Sequence, residues 1–496
     1  MMSAYKASIF NYIFNSINSI VVIVNGIVMV PIYFHYMSVS TYGAWLATGN
    51  VVAMLGLLES GLSFVITQKM STAIAKKENE RFRVLAGSNI LSAIIISSTI
   101  LLLGLAISPF ITEWINIEND VKSDIRIAFI VTLIATCISI FINLFGAFPQ
   151  VWQDTKQVGV YNTIANLLAI VSLLLFLILG CGVVSIALSY VVRSILNLTL
   201  SGSWIIRKWK RENYLSPIYS WSDSLKLMKD CTYPFLSKVS STVVGNSQSF
   251  IIAHFMNPGL AAIYDLTSKI CTVACGFLSI MNGSAFALFS LTIAEGNHEK
   301  TNQVMKNVTQ VFFIMLVSVA LYSICFTEPV MNYWLGLDKF GGTNLLVVIV
   351  AAKVLAQVRS YYNSILYTGG LINKSAIYDI AWMAMYLLIL FIVIKPLEIY
   401  AIPVATLISC FLFIGVYIRM MYRELHIDIL IQLKQLAGLS LIIMPFLIAH
   451  FLISPNFNRI IIYLCYFMIF SIMYIGVLYI YNRSFFIPLI RKFKRK

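Results

Sequence analysis

Residues 35–48 read HYMSVSTYGAWLAT and residues 254–267 read HFMNPGLAAIYDLT. Laid over one another at an offset of 219 positions, without a gap, His35 meets His254, Met37 meets Met256, Trp45 meets Tyr264 and Thr48 meets Thr267. Upstream, the same register pairs Val24 with Val243, Gly26 with Gly245 and Ile32 with Ile251. A second echo, Tyr161–Asn162 against Tyr378–Asp379, falls at an offset of 217. Such echoes carry weight only if both copies occupy the same place in a larger plan.

That plan follows from composition. The chain is 59% hydrophobic and only 11% charged, with a mean hydropathy of +0.86. Water-soluble domains are about half apolar and about a quarter charged. Runs such as SAIIISSTILLLGLAI (92–107) and NLLAIVSLLLFLILG (166–180) recur along the chain, each near the roughly 20 residues needed to cross a bilayer core as a helix. The short alternating strands of a membrane β-barrel are missing. The fold class expected is therefore an all-α polytopic membrane protein of about 14 helices.

Apolar runs and polar breaks place the spans near 9–34, 42–67, 84–107, 126–148, 158–180, 182–206, 231–254, 260–292, 307–327, 343–368, 374–394, 399–421, 435–454 and 458–481. With the N-terminus inside, the inner connections hold about 25 of the 35 basic residues and the outer ones about five. The positive-inside bias then puts both termini in the cytoplasm. Each quoted stretch leaves one span and enters the next with the same orientation, as a parallel duplication of a six-helix unit requires. The organisation expected is a six-helix lobe at 1–206, a cytoplasmic inter-lobe loop at 207–230, a second six-helix lobe at 231–425, and two further helices with a basic tail at 426–496. The net charge of +15 is chiefly a topology signal, so no nucleic-acid partner is expected. The N-terminal stretch reads as a retained first helix, since a basic start and an A-x-A cleavage site are absent.

Chemistry has to come from polar groups inside the spans, because no connection is long enough for a soluble domain. In the first span Asn11, Asn15, Asn18 and Asn25 lie in one stripe at about 100° per residue; in the seventh, Lys238, Thr242, Gly245 and Ser249 do the same. Such stripes either hydrogen-bond to other helices or line a hydrated cavity. The intramembrane charges are Glu59, Arg193, Lys238, Asp265, Lys269, Lys353, Arg359 and Asp379. Lys238 is close enough to an end to snorkel, Asp379 lies near a helix start, and Asp265 and Lys269 are spaced to pair with each other. Arg193, with Ser189 and Asn197 on its face, and Lys353, with Gln357 beside it, are too deep to snorkel. Glu59 is either a coupling carboxylate or a partner for one of these cations.

Five buried cations against three acids bias the interior positive, which suits an anionic substrate group gripped by charge-assisted hydrogen bonds. Enzyme signatures are missing: GxxxxGK[ST], HExxH, GxSxG and Asp-rich loops do not occur. The eight cysteines form no CxxC, and the histidines are scattered. No catalytic residue, cofactor or metal is expected, and transport would draw on an ion or substrate gradient.

Tyr42-Gly43, then Glu59-Ser60-Gly61-Leu62 and Lys76-Lys77-Glu78 in a charged inner loop, resemble the N-terminal signature of bacterial polysaccharide flippases; MNPGLAAIYDLTSKI (256–270) resembles the second half. The family is the O-antigen flippase branch of the multidrug/oligosaccharidyl-lipid/polysaccharide exporter superfamily. The resemblance implies two lobes around a cationic cavity, alternating access, and movement of undecaprenyl-diphosphate-linked oligosaccharide across the bacterial inner membrane. It also implies, as partners, the lipid bilayer and polysaccharide assembly proteins such as a polymerase or chain-length regulator. Here Glu59 stands where relatives often carry Asp. The expected substrate contacts are Arg193, Lys353, Arg359, Lys269, Lys238, Asn15 and Asn18, with Glu59 and Asp265 as ion-coupling candidates. The alternatives are an ion-coupled small-molecule exporter of the same superfamily and a membrane-embedded oligosaccharide polymerase, against which the short outer connections speak.

Overall fold

The computed structural model describes residues 18, 21, 24–59, 61–152, 154–294, 298–425, 430–453 and 460–481. Among these residues the chain is helical, with no strand. The helices are α1 (24–36), α2 (Val39–Leu55), α3 (Leu62–Ala75), α4 (Asn79–Ile107), the one-turn α5 (Ile111–Trp114), α6 (Lys122–Phe145), α7 (Ala147–Val151), α8 (Lys156–Ile178) and α9 (Val184–Arg211). Then follow α10 (Trp221–Asp230), α11 (Thr232–Phe255), α12 (Pro258–Ala294), α13 (His298–Trp334), α14 (Thr343–Thr368), α15 (Ile372–Leu397), α16 (Ala401–Leu425), α17 (Leu430–Ile453) and α18 (Ile460–Tyr481). A helix lies on each expected span, although much of the first falls outside the described residues.

Ten segments among the described residues are long and apolar enough to cross a membrane, and one of them, Ile372–Leu425, holds both α15 and α16. Large apolar side chains such as Leu179, Phe411, Leu452 and Ile472 point outward, as they do when the surrounding medium is hydrocarbon. The protein is a multi-pass membrane protein. α11 is outside that set because it carries Lys238 and several serines. Its polar face survives by packing on α2 and α15, with Ser237 donating to the buried carboxylate of Asp379.

The chain forms two compact units. Unit 1 comprises Met1–Lys269, Met331–Gly341 and Leu371–Phe413; unit 2 comprises Ile270–Val330, Gly342–Gly370 and Ile414–Lys496. The expected lobe limits at 206 and 231 concern the duplication, and we keep them as a proposal about it.

Inside unit 1 the two quoted stretches pack together. A Cβ added to Gly43 would lie 1.7 Å from the Pro258 carbonyl oxygen and 3.2 Å from the Ala262 nitrogen. Only glycine lets α2 come this close to the first turn of α12. Gly43 and Ala262 are also partners at the 219-residue offset. Thr48 and Thr267, another pair in that register, are both fully buried. Thr48 bonds back to the Ala44 carbonyl at 2.9 Å, and Thr267 accepts from the Gly341 amide at 2.9 Å.

The segment 207–230 is more ordered than a bare connection. α9 continues to Arg211 and α10 occupies Trp221–Asp230, capped by Ser220. Arg83 donates to the Ser216 carbonyl at 2.9 Å and accepts from the Ile218 amide through its own carbonyl at 3.1 Å. Arg81 pairs with Asp223 at 2.9 Å, and Lys69 pairs with Asp230. Gly87 leaves no room for a side chain against Ile218. The strap is thus fastened to α3 and α4.

Candidate functional site

In unit 1 a cavity of about 360 Å³ opens between α2, α6 and α9. α2 contributes Trp45 and Asn50, α6 contributes Thr136 and Ser139, and α9 contributes Tyr190 and Arg193. The Trp45 and Tyr190 rings stand 6.1 Å apart and tilted, so both present apolar surface to the space. The small hydroxyls are already committed as donors: Thr136 to the Thr132 carbonyl at 2.9 Å and Ser194 to the Ala135 carbonyl at 3.2 Å. They therefore offer acceptor oxygens to an occupant. Arg193 is solvent-accessible, lines the cavity, and forms no ion pair among the described residues. Tyr190 lies within electrostatic range of both Arg193 and Lys269. The arrangement joins a planar cation, two aromatic faces and several neutral polar groups, the equipment for an anion attached to a polar, ring-bearing moiety.

The other expected residues fall in different surroundings. Lys269 pairs with Asp265 at 3.2 Å, as their spacing suggested. Lys238 is exposed on the polar face of α11, beside Ser241 and Gly245, and a Cβ on Gly245 would meet open space. Asn18 accepts hydrogen bonds from Asn166 at 3.0 Å and Thr163 at 3.2 Å, so that member of the stripe is engaged with α8. Asn11 and Asn15 lie outside the described residues, as does Ser60. In unit 2, Lys353 is half-buried near Cys271 and Cys275 of α12. Arg359 is 5% exposed: its guanidinium donates to the Tyr417 hydroxyl at 3.3 Å and lies 5.9 Å from that ring's centre. The guanidinium is engaged in a side-chain contact.

Glu59 occupies a structural feature that the span reading passed over. The second span is broken: α2 ends at Leu55, Gly56–Glu59 is a 3₁₀ turn, and Gly61 adopts φ +89° before α3 begins. The carboxylate receives Ser63 Oγ at 2.8 Å on one oxygen and Asn143 Nδ2 at 2.9 Å on the other. Among the described residues no lysine or arginine pairs with it. Of the two roles left open for Glu59, partner to a cation is thus not realised here. The signal for the break was present as Gly56 and Gly61 flanking a carboxylate within an apolar run.

The model of the family described as polysaccharide biosynthesis protein matches residues 9–293. No curated protein matches the chain in sequence. Among solved structures, the lipid II flippase MurJ in an inward closed conformation is similar at 13% identity, covering 96% of this chain and 99% of its own, with a TM-score of 0.69. An inward-facing multidrug resistance MATE family transporter of the MOP superfamily is similar at 16% identity, covering 82% and 95%, with a TM-score of 0.68. The outward-facing conformation of a MATE family transporter is similar at 17% identity, covering 88% and 96%, with a TM-score of 0.59. At such identities the likeness establishes the MOP fold.

Proposed function

The chain belongs to the polysaccharide biosynthesis protein family, and from that premise we propose that it is a flippase for undecaprenyl-diphosphate-linked oligosaccharide. The repeat unit of O-antigen or a related surface glycan would pass from the cytoplasmic to the periplasmic leaflet of a bacterial inner membrane by alternating access, with both termini in the cytoplasm. The observation that carries the reading is Arg193 opening, with no acidic partner among the described residues, on a cavity walled by Trp45, Tyr190 and Asn50. A diphosphate offers the oxygens that a guanidinium grips in pairs. Sugars offer C–H faces to aromatic rings and hydroxyls to Asn, Ser and Thr.

Lys269, Lys238 and, in unit 2, Lys353 are each proposed as further phosphate contacts at some stage of transport, with Asn15 and Asn18 toward the sugars. Arg359, closed against Tyr417, is assigned to holding unit 2 together. Glu59 and Asp265 are proposed for coupling. Glu59 is the stronger candidate, because its carboxylate has only neutral donors, whereas Asp265 already holds Lys269. Polymerase and chain-length regulator are proposed as the downstream partners.

The test is the leaflet in which the lipid-linked unit accumulates when this gene is deleted. Accumulation on the cytoplasmic side is expected. Accumulation on the periplasmic side would favour a polymerase. Intact surface glycan together with drug sensitivity would favour a small-molecule exporter.

A further inference from the structure

Two thiols on α12 have no part in the transport reading. Cys271 and Cys275 are spaced i, i+4, so their side chains fall on one face of the helix, and their sulfurs stand 4.0 Å apart. Both are buried. Ser323 of α13 lies within hydrogen-bonding reach of Cys271, and Lys353 of α14 lies within electrostatic range of both sulfurs. All four residues belong to unit 2. Two buried thiols by themselves are small apolar side chains; the ammonium beside them changes their meaning. Lys353 is half-buried in a membrane span and has no ion pair among the described residues. A charge held there is costly until an anion answers it, and the two thiols in reach can become anions.

Distance decides between two fates for the pair. A disulfide needs its Cβ atoms about 3.5–4.5 Å apart, whereas residues i and i+4 of a regular helix hold theirs about 5–6 Å apart, so that bond would distort α12. A bridging ion asks for less. Metal–thiolate bonds of about 2.3 Å put two opposed sulfurs about 4.6 Å apart, roughly 0.6 Å beyond the spacing found, a gap that small side-chain rotations close.

Ligand number and charge then select the ion. Among the described residues His, Cys, Asp and Glu form no group of three or more that could hold a metal, so Zn(II), which takes four ligands, finds too few. Soft thiolates select Cu(I), which accepts two. On binding, each thiol gives up its proton. Two thiolates and one monovalent cation then carry a single negative charge, and the Lys353 ammonium cancels it. A divalent ion would leave the assembly with a net positive charge inside the membrane.

We infer that Cys271 and Cys275 form a two-coordinate site for a soft monovalent metal ion, Cu(I) by its chemistry, with Lys353 as the counter-charge and the Ser323 hydroxyl donating to the Cys271 sulfur. The site shares Lys353 with the proposed phosphate contacts, and its test reads metal binding alone.

The experiment titrates reduced, full-length protein in detergent with Cu(I) buffered by bicinchoninate under nitrogen. Wild type should take up one Cu(I) per chain, and X-ray absorption at the copper edge should show two sulfur neighbours. Cys275→Ala should weaken binding at least a hundredfold. Lys353→Met, which keeps both thiols, should weaken it at least tenfold, and the exposed Cys465→Ala should leave it unchanged. The inference is overturned if wild type takes no Cu(I) from bicinchoninate, if the copper has three or more sulfur neighbours, if Zn(II) competes equally, or if Lys353→Met holds Cu(I) as tightly as wild type.

Discussion

Arg193 and Arg359 look alike along the chain, each a lone guanidinium inside an apolar helix, yet the structure gives them opposite surroundings. Arg193 in unit 1 borders a cavity of about 360 Å³ whose walls are small hydroxyls and two spaced rings. Arg359 in unit 2 is buried against Tyr417. Helix position does not separate them; the bulk of their neighbours does. Small residues on α2 and α6 leave space for an occupant beside Arg193, whereas the Tyr417 ring and hydroxyl meet the Arg359 guanidinium. A buried charge is thus evidence of a site only where the side chains facing it are too small to close.

Exchanging the two roles should give the largest effect. Arg193→Ala removes a charge-assisted contact of about 1.5–3 kcal/mol, so transport should fall roughly ten- to a hundredfold with normal membrane insertion; surface glycan display at matched protein level measures it. Arg193→Lys, keeping charge but not the planar fork, should restore part of the rate. Arg359→Met should do the reverse, lowering thermal stability by about 1–2 kcal/mol while each folded molecule transports normally. Melting in detergent and flux per folded protein separate the two outcomes.

A third side chain sharpens the contrast. Glu59 sits in a helix break between Ser63 and Asn143, and among the described residues no lysine or arginine pairs with it. Glu59→Gln keeps the shape and removes the titration. Flux driven by an imposed pH or sodium gradient should lose its response to the gradient, while exchange driven by substrate alone persists. An unchanged gradient response would take Glu59 out of coupling.

The smallest effect belongs to the strap. The Ser220 hydroxyl, and then the Arg81 guanidinium, hold the Asp223 carboxyl below its usual range. Because the folded value is the lower one, the Arg81–Asp223 clasp is at full strength above the ordinary carboxylate value of about 3.9 and is lost only as pH falls through the depressed one. Between pH 5 and 8 the strap should stay fastened, and Asp223→Asn should cost about 0.5 kcal/mol or less. Hydrogen exchange at 213–230 reads it: protection flat with pH in wild type, slightly reduced in the variant.

The helices were legible because they rest on local facts, apolar runs long enough to span. The presence of cations within these helices was legible for the same reason. Their fates were not, since Tyr417 lies 58 positions from Arg359 and no periodicity announces that contact. Asn18 read as part of a stripe, yet its partners Thr163 and Asn166 come from α8. The break at Gly56–Gly61 was written in two glycines but masked by hydropathy, which averages across a turn of 3₁₀ helix. The strap looked like a loop because its polar residues spend themselves on α3 and α4, partners more than 130 positions away.

The most direct measurement reconstitutes wild type, Arg193→Ala and Arg359→Met into liposomes with a fluorescent short-chain polyprenyl-diphosphate oligosaccharide and follows its arrival in the opposite leaflet by quencher access. Wild type and Arg359→Met should move it at similar rates per folded protein, and Arg193→Ala at least tenfold more slowly. Transport by Arg193→Ala at the wild-type rate would contradict a diphosphate held at the unit 1 cavity.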